Sequence, residues 1–423
     1  MSVLPWSLLP DSSEVGTKGQ LLIGGCDVAE LAAEHGTPLF IYDEDQLRAR
    51  CREAVAAFGD GVAYASKAFL CRAMARLAFE EGMHLDVASG GELLVALSAG
   101  VPADRIVLHG NNKSDEELIT AREVGVGRIV VDSLDELDRL DGLHAVDGLV
   151  PKILLRITPG VEAHTHEYVM TGQDDSKFGF GVLVGAAAQA VERAQGSSAV
   201  ELVGLHAHIG SQVFRAESFA AAIDVLGRFA NPLELPELVI GGGLGVAYVE
   251  GEEAPTLTQW SRIVAKAVAD AGITARIGVE PGRSIVASAA VTLYTVGTIK
   301  ELPGIRTYIS VDGGMSDNPR PVLYGSGYET FLPRAVTAER GRRVRVVGKH
   351  CESGDVLVRQ GHVPKDLSVG DVLCTPVTGA YGHSMGSNYN KVLRPAVVFV
   401  RDGSAHVVVQ RETYDDLLRH DVR

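Results

Sequence analysis

The chain has 423 residues, of which 46% are hydrophobic and 22% are charged, and its formal net charge is −15. This length exceeds what one ordinary hydrophobic core accommodates, so we predict two domains. The acidic balance argues against a protein that binds nucleic acid or an anionic membrane surface.

The five cysteines are scattered along the sequence without a C-x-x-C pair. This pattern is typical of a reducing cytoplasm and excludes a disulfide framework or a cysteine zinc site. The first residues lack a basic segment followed by an apolar one, and no run of 18 apolar residues occurs. We therefore expect neither a signal peptide nor a membrane span, and we predict a cytoplasmic protein.

The first predicted helix follows a series of short apolar runs in residues 1–42. Residues 44–58 have the apolar spacing of a helix, and Asp43 is placed to cap its first turn. A regular pattern then begins, with strand-like runs starting at residues 62, 84, 106 and 128, each 22 residues after the last. Further runs begin at residues 152, 203, 238 and 276.

Eight apolar runs with helical segments between them predict parallel strands that are covered by helices. A (β/α)8 TIM-like barrel is the favoured arrangement, and a doubly wound open sheet is the alternative. The pattern changes near residue 286 to strands with little helix, which predicts an all-β domain, a β-sandwich or β-barrel, joined by the N-terminal strands. We therefore predict a barrel at 43–285 and a β domain at 1–42 and 286–423. The polar loop 160–181 is long enough to be functional.

In a barrel, the chemistry lies at the C-terminal ends of the strands. The first run, Val62-Ala-Tyr-Ala-Ser-Lys67, ends in a lysine, and the second presents Asp86. The lysine could extend its stem past the strand end and keep its charge in water. It could instead lie in a desolvated pocket, where a lowered pKa would let the amine form a Schiff base.

The last strands carry groups suited to phosphate. Gly241, Gly242 and Gly243 let backbone amides approach an anion, as in phosphate-binding nests. Arg283 can bind phosphate oxygens bidentately, and Ser211 can donate its hydroxyl. Barrel phosphate sites form after strands seven and eight, where these residues are predicted.

Two histidines, His206 and His208, are predicted on the sixth strand, where residues two apart share a face. Such a pair could ligate a metal ion together with Asp86 and Glu280. Otherwise His206 is a core residue and His208 stacks on a flat cofactor. Together with Lys67, the phosphate cradle and a buried Glu280, this second interpretation describes pyridoxal phosphate, whose ring nitrogen Glu280 would keep protonated. A Schiff-base aldolase would need the lysine but would have no use for Glu280. Because the cofactor interpretation is favoured over the metal site, we predict no bound metal.

With these residues in place, the sequence resembles the diaminopimelate decarboxylases, which belong with ornithine decarboxylase and alanine racemase to the barrel-type pyridoxal phosphate enzymes. The resemblance extends from residue 38 to residue 395. The motifs that carry it are Tyr64-Ala-Ser-Lys67-Ala, Leu85-Asp-Val-Ala-Ser-Gly-Gly-Glu-Leu93, His164-Thr-His-Glu, Lys177-Phe-Gly, His206-Ala-His-Ile-Gly-Ser-Gln212, Gly241-Gly-Gly, Glu280-Pro-Gly-Arg283, Val311-Asp-Gly-Gly-Met315, Cys351-Glu-Ser-Gly-Asp355 and Gly379-Ala-Tyr-Gly. The sequence departs from many relatives at Phe69 and Gly386, and neither position matches a functional residue of the family.

The resemblance implies roles that spacing cannot supply. Cys351 would protonate the carbanion, and Glu352 would bind the distal amino group of the substrate. Both would reach the site from a partner subunit, which implies a homodimer with shared active sites. The resemblance also implies that Arg283, Arg320 and Tyr324 bind the distal carboxylate and that Tyr381 contacts both cofactor and substrate. It adds Gly282 to the cofactor-binding residues named above.

The implied activity is decarboxylation of meso-2,6-diaminopimelate to L-lysine and carbon dioxide. A decarboxylase of another basic amino acid, such as ornithine, lysine or arginine, would share the cofactor residues. Arg320 and Tyr324 favour a substrate with a second carboxylate. A metal-dependent barrel hydrolase and a non-catalytic barrel that binds an amine or a phosphate are the alternatives from other classes.

Overall fold

The computed structural model describes residues 6–160, 176–214 and 217–422. The chain divides into two compact units. The barrel unit comprises Arg50–Gly245 and Ala254–Ser284, and the sheet unit comprises Met1–Ala49, Val246–Glu253 and Ile285–Arg423.

The strands are, in chain order, β1 (Glu14–Val15), β2 (Leu21–Ile23), β3 (Cys26–Asp27), β4 (Leu39–Asp43), β5 (Ala63–Ala65), β6 (His84–Val87), β7 (Ile106–Leu108), β8 (Arg128–Val131), β9 (Lys152–Thr158), β10 (Phe180–Gly181), β11 (Glu201–His206), β12 (Glu237–Val239), β13 (Arg276–Gly278), β14 (Ala290–Leu302), β15 (Arg306–Val311), β16 (Arg342–Val347), β17 (Val356–Val363), β18 (Val372–Pro376), β19 (Ala396–Arg401) and β20 (Ser404–Val409). The α-helices are α1 (Val28–His35), α2 (Glu44–Phe58), α3 (Arg72–Glu80), α4 (Gly90–Ser98), α5 (Asp115–Val124), α6 (Leu134–Asp147), α7 (Ala186–Gln195), α8 (Glu217–Ala230), α9 (Leu257–Asp270), α10 (Arg283–Val286), α11 (Arg320–Tyr324) and α12 (Tyr414–Leu418).

The barrel unit contains eight parallel strands in the order β13-β12-β11-β9-β8-β7-β6-β5, with the short β10 on β9. A parallel bridge between Val62 and Val279 joins the first and last strands, and Ala63 N donates to Val279 O over 2.9 Å. The barrel prediction is therefore confirmed, and the open sheet is wrong. The predicted strand starts agree with the observed ones to within two residues because these strands are apolar almost throughout. Val130, Leu154 and Val203 are buried together in one of their hydrophobic clusters.

The sheet unit is built on a mixed sheet with the order β17-β16-β15-β14-β4-β19-β20, and β18 also pairs with β14. One N-terminal strand belongs to this sheet, since β4 pairs with both β14 and β19. The strands β1 to β3 form a small sheet of their own. Helix α2 begins as predicted, with Gln46 N donating to the Asp43 carboxylate over 3.1 Å.

Within the described ranges, no helix combines the length and the apolar character needed to cross a bilayer.

Candidate active site

Four titratable side chains meet in a buried cluster near the ends of different barrel strands. His206 Nε2 lies 2.9 Å from Glu280 Oε2, and His109 Nε2 lies 3.0 Å from Glu280 Oε1. Asp86 Oδ1 lies 3.6 Å from the same nitrogen of His109. These side chains lie close together because the C-terminal ends of parallel strands share one edge of the barrel.

The charges of this cluster follow from its burial and its contacts. Burial favours the neutral acid of Glu280, but the two imidazoles overcome it and hold its pKa well below the ordinary value. Burial opposes a charge on His109 as well, yet Asp86 and Glu280 raise its pKa. Burial raises the pKa of Asp86 to about 6 and lowers the pKa of His206 to about 4. At neutral pH the cluster therefore presents an ionised Glu280 beside a neutral His206, while its two carboxylate neighbours make His109 easier to protonate than a free imidazole.

The three glycines at 241–243 occupy positions where a side chain cannot fit. Gly241 and Gly243 have φ angles of 73° and 105°, in the region that favours glycine. A Cβ at Gly242 would lie 2.1 Å from Glu280 O, and one at Gly243 would lie 2.2 Å from Gly210 O. The absence of side chains lets this turn pack directly on the neighbouring strand ends, and the binding of an anion by its amides stays a prediction.

Other predicted phosphate residues lie in the same unit. Arg283 begins α10, is buried, and donates from Nη2 to Ser211 Oγ over 2.9 Å. A Cβ at Gly282 would lie 2.9 Å from the Ala65 side chain, so this turn packs directly on the end of β5. Ser284 Oγ is buried and has no hydrogen-bond partner in the described part of the chain.

His208 lies beyond the end of the strand on which it was predicted. Strand β11 ends at His206, so the two histidines do not share a strand face as expected. His208 Nδ1 accepts a hydrogen bond from Gly242 N over 3.3 Å, whereas His206 joins His109 and Glu280 in a set of possible metal ligands within 4.8 Å of one another. Burial and the charge of Lys67 hold the pKa of His208 well below its usual value, so its ring is neutral.

Lys67 lies in the 3₁₀ turn Ser66–Ala68, immediately after β5. The side chain is exposed, so the expectation of a desolvated pocket does not hold for this chain by itself. Beneath it, the buried hydroxyl of Tyr64 donates to Phe69 O over 2.6 Å and fixes the path of the turn.

In the sheet unit, Arg320 is buried at the start of α11. Its guanidinium carbon lies 4.1 Å from the ring centre of Tyr248, and Nη1 donates to the Tyr328 hydroxyl over 2.6 Å. Burial disfavours the charge, but these two tyrosines outweigh it and raise the pKa of Arg320. Arg320 Nε is buried without a hydrogen-bond partner in the described residues. Tyr324 ends the same helix and is half-buried.

Cys351 and Glu352 are exposed in the turn between β16 and β17. Asp355 shapes this turn, because its carboxylate accepts from His350 N over 2.9 Å and from Met315 N over 2.7 Å. The Tyr389 hydroxyl hydrogen-bonds the Glu352 carboxylate.

Tyr381 is also in the sheet unit, half-buried, with a φ of 59°. A positive φ is uncommon for a tyrosine and marks a backbone held by its surroundings. The motif at His164 and most of the loop 160–181 lie outside the described residues.

The sequence reading missed several residues that contact predicted ones. His109 ends the run Ile106-Val-Leu-His, a signal equal to those used for other strands, so the same reading could have found it. Arg156, on β9, is buried 3.8 Å from the Asp132 carboxylate, with its guanidinium 4.3 Å from the Phe178 ring centre. Tyr248 and Tyr389 carry no comparable signal.

Residues 44–287 match the family model described as the pyridoxal binding domain of pyridoxal-dependent decarboxylases. A diaminopimelate decarboxylase of Mycobacterium tuberculosis is 47% identical over 96% of this chain and 95% of its own length. One of Bacillus subtilis is 45% identical over 98% of both chains.

Solved structures agree with these relatives. A diaminopimelate decarboxylase of M. jannaschii has a TM-score of 0.91 at 33% identity and covers 98% of both chains. One of Helicobacter pylori, complexed with L-lysine, has a TM-score of 0.85 at 32% identity, over 93% of this chain and 98% of its own.

Proposed function

The chain belongs to the diaminopimelate decarboxylase family of pyridoxal-dependent decarboxylases, and from this membership we propose how its own residues carry out the reaction. The enzyme removes carbon dioxide from meso-2,6-diaminopimelate and yields L-lysine. The observation that carries this conclusion is identity of 47% along 96% of the chain, which extends through both units.

The barrel unit has the features that pyridoxal phosphate requires. The amides of residues 241–243, where side chains are sterically excluded, and the Arg283–Ser211 pair would bind the phosphate. The buried Ser284 hydroxyl, which has no partner in the described residues, is an additional donor for that anion. Lys67 would hold the aldehyde carbon, and the neutral ring of His208 would stack on the cofactor.

Pyridoxal phosphate, when bound, supplies an electron sink for the charge left by departing carbon dioxide. Glu280 supports that sink because an ionised carboxylate favours a protonated ring nitrogen. His109 and His206 lower the pKa of Glu280, and Asp86 together with Glu280 raises the pKa of His109. This chain of buried contacts would favour a proton on the ring nitrogen of the bound cofactor.

Substrate recognition is assigned to the sheet unit and Arg283. Arg320 is a buried cation whose planar fork suits a carboxylate, so it would bind the distal carboxylate with Arg283 and Tyr324. Glu352 would bind the distal ammonium group, and Tyr381 would contact both cofactor and substrate.

Cys351 would return a proton to the substrate carbon that lost its carboxylate. We assign Cys351 and Glu352 to the active site of a partner subunit, so that a homodimer carries two composite sites. Their exposure in the isolated chain agrees with this assignment. We place the reaction in the cytoplasm, where five scattered cysteines stay reduced.

Two measurements test the proposal. The purified protein should be yellow, and borohydride should attach the cofactor covalently to the peptide containing Lys67, but not in the matched variant Lys67→Ala. Carbon dioxide release should be far faster from meso-diaminopimelate than from lysine, ornithine or arginine. A colourless protein would refute the cofactor assignment, and a preference for ornithine would refute the substrate assignment.

A further inference from the structure

A groove on the sheet unit is lined by four arginines that the proposed reaction does not use. It has a volume of about 450 Å³ and is bounded by strands β15, β16 and β17 and by the hairpin that joins β14 to β15. The four arginines are Arg306, Arg343, Arg345 and Arg359.

The strand register places these cations side by side. Tyr308 pairs with Arg345 in the parallel ladder of β15 and β16. Because side chains alternate between faces, Arg306 shares the face of Tyr308, and Arg343 shares the face of Arg345. Adjacent strands are roughly 4.8 Å apart and alternate residues roughly 7 Å apart, so the backbone positions of Arg306, Arg343 and Arg345 lie within one small patch of the sheet.

Three of the four arginines make contacts that orient them but leave their charges uncompensated. Arg345 Nε donates to Arg359 O over 3.2 Å, and Arg359 Nη2 donates to Pro321 O over 3.4 Å. The Arg306 guanidinium lies 5.8 Å from the ring centre of Tyr308. Carbonyl oxygens and an aromatic ring orient a guanidinium, but none of them carries the negative charge that would neutralise it.

Carboxylates do not neutralise the array. Across residues 6–160, 176–214 and 217–422, none of the four arginines forms an ion pair with a carboxylate. The carboxylate that lines the groove, Glu301, is paired with Arg342. Like charges on adjacent strands destabilise a sheet, so folding alone does not account for this arrangement.

We propose that this groove binds a small anion with two or more linked phosphate groups. The planar fork of arginine binds phosphate oxygens bidentately, and four forks exceed what one phosphate can engage. Their charge is concentrated on a protein whose net charge is −15, so the groove attracts an anion that the rest of the surface repels. Inorganic tripolyphosphate and nucleoside triphosphates share this chemistry.

The groove also has a structural link to the turn that holds Cys351. That turn joins β16 to β17, the two strands that carry three of the four arginines. A bound anion would bridge the same two strands. The binding inference itself does not depend on the proposed reaction.

The test is calorimetric titration of the protein, saturated with pyridoxal phosphate so that the cofactor's phosphate site is filled. Sodium tripolyphosphate and adenosine triphosphate are titrated separately at fixed ionic strength. The double variant Arg343→Gln/Arg345→Gln should weaken binding of tripolyphosphate at least tenfold. The control Arg228→Gln/Arg419→Gln removes the same charge from exposed arginines outside the groove and should leave the affinity within twofold.

Comparison of the two ligands shows which part of the anion is recognised. If adenosine triphosphate binds more tightly than tripolyphosphate, the groove recognises a nucleotide; if the two bind equally, it recognises the phosphates alone. Absence of saturable binding to the wild type overturns the inference, as does equal weakening by both double variants. If the double variant instead changes the oligomeric state in sedimentation, the groove is a protein interface and the inference is wrong. The single variant Arg343→Gln, at an exposed position, serves if the double variant does not fold.

Discussion

The imidazole of His109 lies against the carboxylate of Glu280, with Nε2 and Oε1 3.0 Å apart and both side chains buried. A buried cation beside a carboxylate stabilises its ionised form. In the mechanism proposed above, this pair would govern whether Glu280 can keep the ring nitrogen of the cofactor protonated.

We predict that His109→Gln lowers kcat at least about tenfold, which corresponds to about 1.4 kcal/mol of transition-state stabilisation. Loss of the imidazole removes a group that lowers the pKa of Glu280, so the acidic limb of the kcat–pH profile should move to higher pH. Glu280→Gln should cost more, because a neutral amide cannot stabilise the charged ring. The control is His84→Gln, because His84 is the first residue of β6 and so lies at the N-terminal end of a barrel strand, not at the C-terminal end. Unchanged kcat and an unchanged profile in His109→Gln would show that His109 only packs against Glu280.

The second prediction concerns substrate selection by Arg320. Arg320→Ala should narrow the preference for meso-diaminopimelate over lysine by about 2–5 kcal/mol, if a buried charge pair with the distal carboxylate is broken. Relative kcat/KM values for the two substrates measure this. An unchanged ratio of the two kcat/KM values would show that Arg320 does not bind the distal carboxylate.

A milder change tests the orientation of the same guanidinium. Tyr328→Phe removes the 2.6 Å hydrogen bond to Arg320, and hydrogen bonds to charged groups contribute about 1.5–3 kcal/mol. The KM for diaminopimelate should rise about tenfold or more, with little change in kcat. Tyr414→Phe alters an exposed ring and is the control.

Much of this architecture could be predicted because the barrel strands are continuous apolar runs with regular spacing. The strand β20 was missed although Asp402-Gly403, both at positive φ, forms a typical hairpin turn before it. None of its side chains is fully buried, but Val407-Val-Val409 is an apolar run like those that predicted the barrel strands, so the same pattern could have found it.

Site residues could be predicted where they directly follow a barrel strand. Residues that contact the site only through the tertiary fold could not be predicted. Glu280 was found because it follows the last barrel strand. Tyr248 follows the glycine turn of the barrel in sequence but belongs to the sheet unit, where it stacks on Arg320. The sequence could not decide between the two environments considered for Lys67, because the pattern describes the strand before it and not the space around its side chain, which is exposed.

The fourth prediction concerns the dependence of stability on pH. Asp317 is buried, and its carboxylate accepts from the Tyr294 hydroxyl over 2.6 Å and from Gly314 N over 2.7 Å. Burial, aided by the charges of Asp355 and Asp312, raises its pKa from 3.8 to about 7. As pH rises, the unfolded chain therefore loses this proton first. The stability that the protonated carboxyl contributes is complete below pH 3.8 and is lost as pH rises towards 7.

Asp317→Asn isolates this effect, because the amide stays neutral at every pH. The unfolding free energy of the wild type relative to the variant should fall by about 3 kcal/mol between pH 5 and pH 8. Urea unfolding at one protein concentration measures the difference, with Asp415→Asn as a surface control. A difference that does not vary with pH would mean that Asp317 is ionised throughout this range.

The last prediction concerns the composite sites of the proposed dimer. If Cys351 and Glu352 act in the partner's site, each site takes Lys67 from one subunit and the proton donor from the other. Lys67→Ala should be inactive, and so should the double variant Cys351→Ala/Glu352→Ala. After reversible dissociation and mixing, half the dimers combine one chain of each kind. In each mixed dimer one site carries both defects and the other carries none, so activity should return to about a quarter of the wild-type value by two-fold symmetry. If mass-tagged chains demonstrate exchange and no activity returns, each site is built within one chain, and Cys351 is not the proton donor from the partner.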